Sequence, residues 1–171
     1  APDRAGSAGA FPASPGDLLN LRDLEQGIDQ VNSLASNNAK LDLRPGSEPG
    51  QTVVVVENAS RFPVHLFTSL DNSGTESTGT NNASFTLTFD SLLGLNELIS
   101  VTKRLSVLPR RWEHKSDSTA LRAVLPFGYN TFSVDASQSD YTNVLRLPSG
   151  IGLKSEGSTI SKSFTADRVV Y

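Results

Sequence analysis

From residue 63 onward apolar and polar residues alternate one by one, and this period of two constrains the fold more than any other feature. Phe85, Leu87 and Phe89 interleave with Ser84, Thr86, Thr88 and Asp90. Successive side chains of a β-strand point to opposite faces, so such a run has one apolar and one polar face. Ile99 and Val101 alternate with Ser100 and Thr102, and Leu121, Ala123 and Leu125 flank Arg122. Phe132, Val134 and Ala136 oppose Thr131, Ser133, Asp135 and Ser137. Ile160, Phe164 and Ala166 oppose Thr159, Ser161, Ser163 and Thr165. With a looser run at Val64, His65, Leu66, Ser69 and Leu70, these make six candidate strands with no helical segment between them. The expected connections run long, short, long, short, long, over residues 71–79, 91–96, 108–118, 126–129 and 143–157. That is the pattern of an up-and-down meander with unlike ends.

A water-soluble antiparallel sheet with one face on a core explains the alternation equally well. The chemistry of the polar face is what separates it from a membrane barrel. Charged residues make up only 19% of the chain, and the polar positions are Ser, Thr, Asn and Asp where a sheet facing bulk water mixes in many Lys and Glu. Such a face suits a narrow lumen, water-filled or plugged. No run of about 20 apolar residues provides a transmembrane helix, but barrel strands alternate and escape that criterion. Two residues oppose the barrel. Lys103 and Lys162 fall on apolar faces, where a lysine at the bilayer midplane costs about 2–4 kcal/mol. Lys103 lies near a strand end from which it can snorkel, or a bulge would turn it over. Lys162 has no comparable explanation. Both readings stay open on these grounds.

The first 60 residues have a different texture. Residues 1–16 (APDRAGSAGAFPASPG) read as a linker or frayed end. Asn20 is a helix cap, with Asp23 as its reciprocal acid. Leu21, Leu24, Ile28, Val31 and Leu34 then follow at helical spacing until Ser36-Asn37-Asn38. Lys40–Leu43 is a short strand, residues 45–50 a Pro/Gly turn, and Thr52–Val56 a strand that burial on both faces would suit. Helix, strand, turn and strand over residues 17–58 are too small to stand alone and call for a further element upstream. No segment resembles a signal peptide. The last stretch, residues 167–171, stops without a turn and reads as a chain cut inside an element.

The sequence offers little chemistry for catalysis. It has no cysteine, which removes disulfides, thiolate zinc sites and thiol nucleophiles. A net charge of -3 and a pI of about 5.3 argue against a nucleic-acid partner. His65 and His114 are the only histidines, and neither has a second ligand at metal spacing. No Gly-x-Ser-x-Gly elbow occurs. Gly150-Ile151-Gly152 lacks the strand-then-helix setting of a dinucleotide loop. Asp71-Asn72-Ser73-Gly74 lacks the later bidentate Glu of a calcium loop, and so reads as a turn. The expectation is no catalytic residue, no cofactor, no metal and no small-molecule substrate.

Several motifs together point further. Asn20–Gln30 (NLRDLEQGIDQ), Leu43–Gly50 (LRPGSEPG), Leu70–Gly79 (LDNSGTESTG), Asp90–Leu98 (DSLLGLNEL), Leu125–Tyr129 (LPFGY) and Ser139–Tyr141 (SDY) occur in order along the chain. In them the chain resembles the outer-membrane transporters of two-partner secretion, the hemolysin-activator and filamentous-haemagglutinin transporter group. The resemblance implies a mainly-β fold. Residues 17–60 would be the C-terminal part of a periplasmic POTRA domain (helix plus two strands). Residues 61–171 would be about the first six strands of a transmembrane β-barrel, the whole an internal piece of a longer protein. It also implies an outer-membrane location, contact with outer-membrane lipid, and a secreted exoprotein with an N-terminal secretion domain as partner.

Under this resemblance Lys40, Leu41, Asp42 and Leu43 form an edge strand able to take a partner segment by β-augmentation, although Lys40 and Asp42 would equally serve to protect the edge. Thr86, Thr88, Arg122, Ser133 and Asp135 are the expected pore-lining residues, with Asp140 as a further conduit charge. Arg110, Arg111, Trp112, His114 and Lys115 form a charged loop cluster, a solvated loop or a surface contact. The alternatives are a soluble, secreted all-β binding module and a barrel-assembly factor of the same superfamily.

Overall fold

The structure, a computed structural model, describes residues 9–77, 79–107 and 113–170. One helix, α1 (Leu21–Asn32), precedes strands β1 (Ala39–Pro45) and β2 (Thr52–Asn58). Six strands follow: β3 (Val64–Asp71), β4 (Asn82–Asp90), β5 (Leu98–Ser106), β6 (His114–Phe127), β7 (Asn130–Arg146) and β8 (Gly152–Arg168). β1 and β2 pair antiparallel, and β3 to β8 form one six-stranded antiparallel sheet in chain order. The fold is mainly β, with a POTRA-like helix and strand pair followed by a meander, as the alternation requires.

Helix α1 starts where its cap places it, with Asn20 Oδ1 accepting from the Arg22 N–H at 3.1 Å. Asp23 makes a different contact from the reciprocal one expected: it accepts from the Tyr129 hydroxyl, 106 residues away. The helix ends at Asn32, before the expected Ser36-Asn37-Asn38, because the Ser33 hydroxyl caps the Gln30 carbonyl. Leu24, Val31 and Leu34 of the apolar stripe are buried, whereas Leu21 is exposed. The buried face also takes in Gly27 and Gln30, neither of them apolar in side chain. Phe11 explains the first. A Cβ on Gly27 would sit 2.0 Å from the Phe11 ring, so the ring lies directly on the helix backbone. Ala10 is fully buried against Val31 and Ala39. The segment around residues 9–12, expected as linker, is therefore part of this small core. Val53 is 45% exposed, so β2 is not buried on both faces.

The sheet strands lengthen along the chain, from Val64–Asp71 to Gly152–Arg168. The second and third of the expected long connections shrink accordingly, whereas the first, between Asp71 and Asn82, does not. β6 begins at His114, and β7 and β8 pair without interruption to Arg146 and Gly152, leaving only residues 147–151 as the last turn. Hydrogen-bonded pairing continues after hydrophobic alternation has stopped. Residues 128–129 close the shortest hairpin, where a positive φ at Gly128 alone gives a type II′ turn. The Asp71–Gly74 stretch is a turn, with Ser73 N–H bonded to Asp71 Oδ1 at 3.0 Å.

Almost all of the buried apolar residues belong to the small unit; Ala83 is the exception. On the sheet Leu66, Leu70, Ile160 and Phe164 are each more than 60% exposed. Among the described residues no second layer covers the apolar face. No helix is long and apolar enough to cross a membrane, which says nothing of strands.

Candidate functional site

The register assigns every strand residue to a face. Thr88, Ser100, Arg122, Asp135 and Ser163 are successive partners across five strands, and Thr86, Thr102, Ala120, Ser137 and Ser161 form the next row. Thr86 and Thr102 share a hydroxyl hydrogen bond of 3.0 Å. Arg122 Nη1 lies 3.5 Å from Asp135 Oδ1, both half-exposed. Small side chains at Ser100, Thr102, Ala120 and Ser137 leave a shallow depression beside this pair. Ser133 lies on the same face, opposite Val124. Thr86, Thr88, Arg122, Ser133 and Asp135 thus share one polar face. Asp140 does not: five positions from Asp135, it falls on the opposite face, beside Asp117.

The apolar face is equally continuous. Phe89, Ile99, Ala123, Val134 and Phe164 are successive partners, with Leu87, Val101, Leu121, Ala136 and Lys162 in the adjoining row. Phe132 and Phe164 stack with centroids 6.4 Å apart. Further along the same face the strands turn polar, through Thr119, Gln138, Asp140 and Glu156. Lys103 stands at this margin, donating to Thr119 Oγ1 at 2.9 Å. No bulge inverts either lysine, because pairing is unbroken through Phe85–Lys103 and Ala136–Lys162. Lys162 therefore sits within the apolar row itself.

Helix α1 and its flanking segments meet the turns at one end of the sheet. The β4–β5 turn, residues 91–97, and the β6–β7 turn, residues 128–129, both lie there. Gln30 Nε2 donates to the Gly128 carbonyl at 2.6 Å, and the Gly128 N–H to the Gly9 carbonyl at 3.0 Å. Asn96 Nδ2 donates to the Gln30 carbonyl at 2.7 Å, while its Oδ1 accepts from Asn37 Nδ2 at 3.1 Å. Asp90, 1% exposed, accepts from the Ser36 N–H at 2.9 Å and faces His65 Nε2 at 3.2 Å. A buried carboxylate needs such donors to offset its desolvation. The motifs DSLLGLNEL and LPFGY therefore contain the residues that hold the helix to the sheet. Sequence periodicity gives no sign of this, since each contact spans about 50 to 100 positions.

At the opposite end a second polar cluster forms. Arg104 Nη2 reaches Asp71 Oδ1 at 3.2 Å and Ser73 Oγ at 3.1 Å. His114 Nδ1 lies 3.1 Å from the Ser77 carbonyl and from Asn143 Oδ1, and Lys115 pairs with Asp117 at 3.3 Å. Both belong to β6 rather than to a loop. Arg110, Arg111 and Trp112 lie outside the described residues.

Lys40, Leu41, Asp42 and Leu43 all lie in β1, paired with Glu57, Val56, Val55 and Val54. Leu43 is half-exposed, and Asp42 is engaged by Arg44 Nε at 2.7 Å. That bond raises the Arg44 pKa further above its usual value. Among the described residues no group of three or more His, Asp or Glu side chains forms a metal site.

A POTRA-like unit followed by a meander with one apolar and one polar face defines the class. Residues 1–45 match the POTRA domain model, and residues 50–171 match the haemolysin secretion/activation protein ShlB/FhaC/HecB model. The chain belongs to the ShlB/FhaC/HecB family. It is 37% identical over 161 residues to the hemolysin transporter protein ShlB of Serratia marcescens, covering 94% of this chain and 28% of that protein. It is 32% identical to the outer membrane transporter CdiB of Dickeya dadantii (strain 3937), covering 95% of this chain and 29% of the relative. The fold superposes on CdiB from Escherichia coli with a TM-score of 0.89 at 30% identity, over 99% of this chain and 31% of that one. The chain thus spans about three tenths of the length of the curated relatives it matches.

Proposed function

We propose that this chain supplies part of an outer-membrane transporter that exports a secreted partner protein by two-partner secretion. Residues up to about 60 act as a periplasmic POTRA unit, and the strands from residue 61 form one arc of a transmembrane β-barrel. The observation that carries this reading is the single-layer sheet with an uncovered apolar face. A soluble module would have to bury Leu66, Phe164 and Ile160 against a second layer; lipid covers them without one. The family membership and the relatives' names as hemolysin and outer membrane transporters support the same direction. Closure takes further strands, since eight is the usual minimum for a membrane barrel.

The role is transport, not catalysis. Thr86, Thr88, Arg122, Ser133 and Asp135 line the conduit, where hydroxyls and charges of both signs keep it hydrated. The partner is an exoprotein with an N-terminal secretion domain, captured as an extended segment along β1 at Lys40–Leu43 by main-chain hydrogen bonds. Outer-membrane lipid is the second partner. The test is secretion of a candidate exoprotein carrying an N-terminal secretion domain, expressed in cells with and without the full-length protein. Export that depends on the protein supports the proposal. Equal export in its absence, or recovery of the protein in the soluble fraction without detergent, refutes it.

A further inference from the structure

We propose that the β4–β5 turn, residues 91–97, is a membrane-surface anchor whose leucines enter the interfacial layer of the bilayer and hold the docked helix at the membrane plane. This rests on the reading of the sheet as a transmembrane arc. Leu92, Leu93 and Leu95 are 56%, 72% and 51% exposed. Turns are ordinarily built from Gly, Pro, Asn, Asp and Ser, so three exposed leucines in one turn need a partner.

Five backbone N–H groups of the turn are satisfied from within. Glu97, 5% exposed, accepts from the Leu93 N–H at 2.6 Å through one oxygen and from the Leu95 N–H at 3.0 Å through the other. The Ser91 N–H donates to the Glu97 carbonyl at 2.7 Å, the Gly94 N–H to the Ser91 carbonyl, and the Asn96 N–H to Ser91 Oγ at 3.2 Å. A backbone that supplies its own acceptors can leave water without leaving those donors unpaired. Positive φ angles at Ser91, Gly94 and Asn96 give the turn a specified shape. Its one charge is buried and its amide, Asn96, is bonded to the helix, so the leucines are what the turn presents outward.

Lipid is the occupant because the patch continues the apolar face. The turn runs directly from Phe89 to the strand that carries Ile99, and these two are partners in the apolar row. At the same end β6 finishes on Phe127, 62% exposed and on that face by register. The loop at the far end instead presents Asn72, Ser73, Glu76 and Ser77. Apolar side chains on an otherwise satisfied surface element partition into the headgroup and acyl boundary.

This chain has no cysteine, so a Leu93→Cys label is clean once any cysteine elsewhere in the full-length protein is replaced. The labelled protein, carrying an environment-sensitive fluorophore, is reconstituted into phosphatidylethanolamine and phosphatidylcholine vesicles. Quenching by doxyl lipid and by aqueous iodide is then compared with a Ser47→Cys label in the β1–β2 turn. The expected result is lipid quenching at position 93 about twofold or more above that at 47, with weak iodide quenching. Iodide quenching equal to that at 47 overturns the anchor. So does protection from both quenchers, which would place protein over the turn. A Val101→Cys label separates the two levels: lipid quenching at 101 but not at 93 removes the anchor alone, and none at 101 removes the transmembrane reading beneath it.

Discussion

Replacing Asn96 by alanine should undock helix α1 from the sheet. The substitution removes the 2.7 Å bond to the Gln30 carbonyl and the acceptor for Asn37 Nδ2. Leaving a buried polar group unpaired costs about 1–3 kcal/mol. Asn96 also has φ of 58°, and alanine pays about 1–2 kcal/mol in that left-handed region. Water reaches the half-buried Asn37 and recovers part of this, so the net loss is about 2–3 kcal/mol, or roughly 30- to 150-fold in the docking equilibrium. Hydrogen exchange at the Ser36 and Arg61 amides reads it, because their bonds to Asp90 and to the Ser36 carbonyl depend on the docked arrangement. Asn96→Gly keeps the backbone conformation and loses only the side-chain bonds, so it should give a smaller acceleration. Unchanged exchange in Asn96→Ala would refute the assignment of Asn96 as an attachment point of the helix.

Three further outcomes follow from the faces and edges. Leu41→Pro, in the middle of β1, should abolish capture of the partner's secretion domain in a pull-down while α1 remains folded by circular dichroism; undiminished capture would remove β1 as the recognition edge. Arg122→Glu reverses a charge beside Asp135 on the polar face, so the pore in a planar bilayer should become more cation-selective, and an unmoved reversal potential would put Arg122 outside the conduit. Lys162→Leu fills the one charged place in the row of Leu87, Val101, Leu121 and Ala136. It should stabilise the inserted barrel by up to about 2–4 kcal/mol in a urea titration in lipid; a loss of stability would mean that Lys162 contacts something other than acyl chains.

The faces were legible in the sequence because side-chain direction in a strand follows from position parity alone. Thr86, Arg122 and Asp135 share a face for that reason, and Asp140 does not. The ends of the strands were hidden. Beyond Ser137 on β7 and before Thr159 on β8 the one-by-one alternation lapses, yet main-chain pairing runs on to Arg146 and Gly152. The docking surface was hidden more deeply. Ala10 and Phe11 sit in a stretch of Gly, Ser and Pro that has every mark of a linker, and only the bare backbone of Gly27 gives the ring its place. Asp23 reads locally as a capping acid, but its partner is Tyr129, which no local pattern names.

The most direct test of the central claim is an accessibility scan along β7, with single cysteines from Phe132 to Ser137 in the full-length protein in native outer membranes. The transmembrane reading predicts a period of two. Positions 135 and 137 should react with a membrane-impermeant thiol reagent through the lumen, 132, 134 and 136 should be protected until detergent removes the lipid, and 133, buried on the polar face, should react little in either condition. Equal reaction at all six positions without detergent would show a sheet with water on both faces and would contradict the barrel.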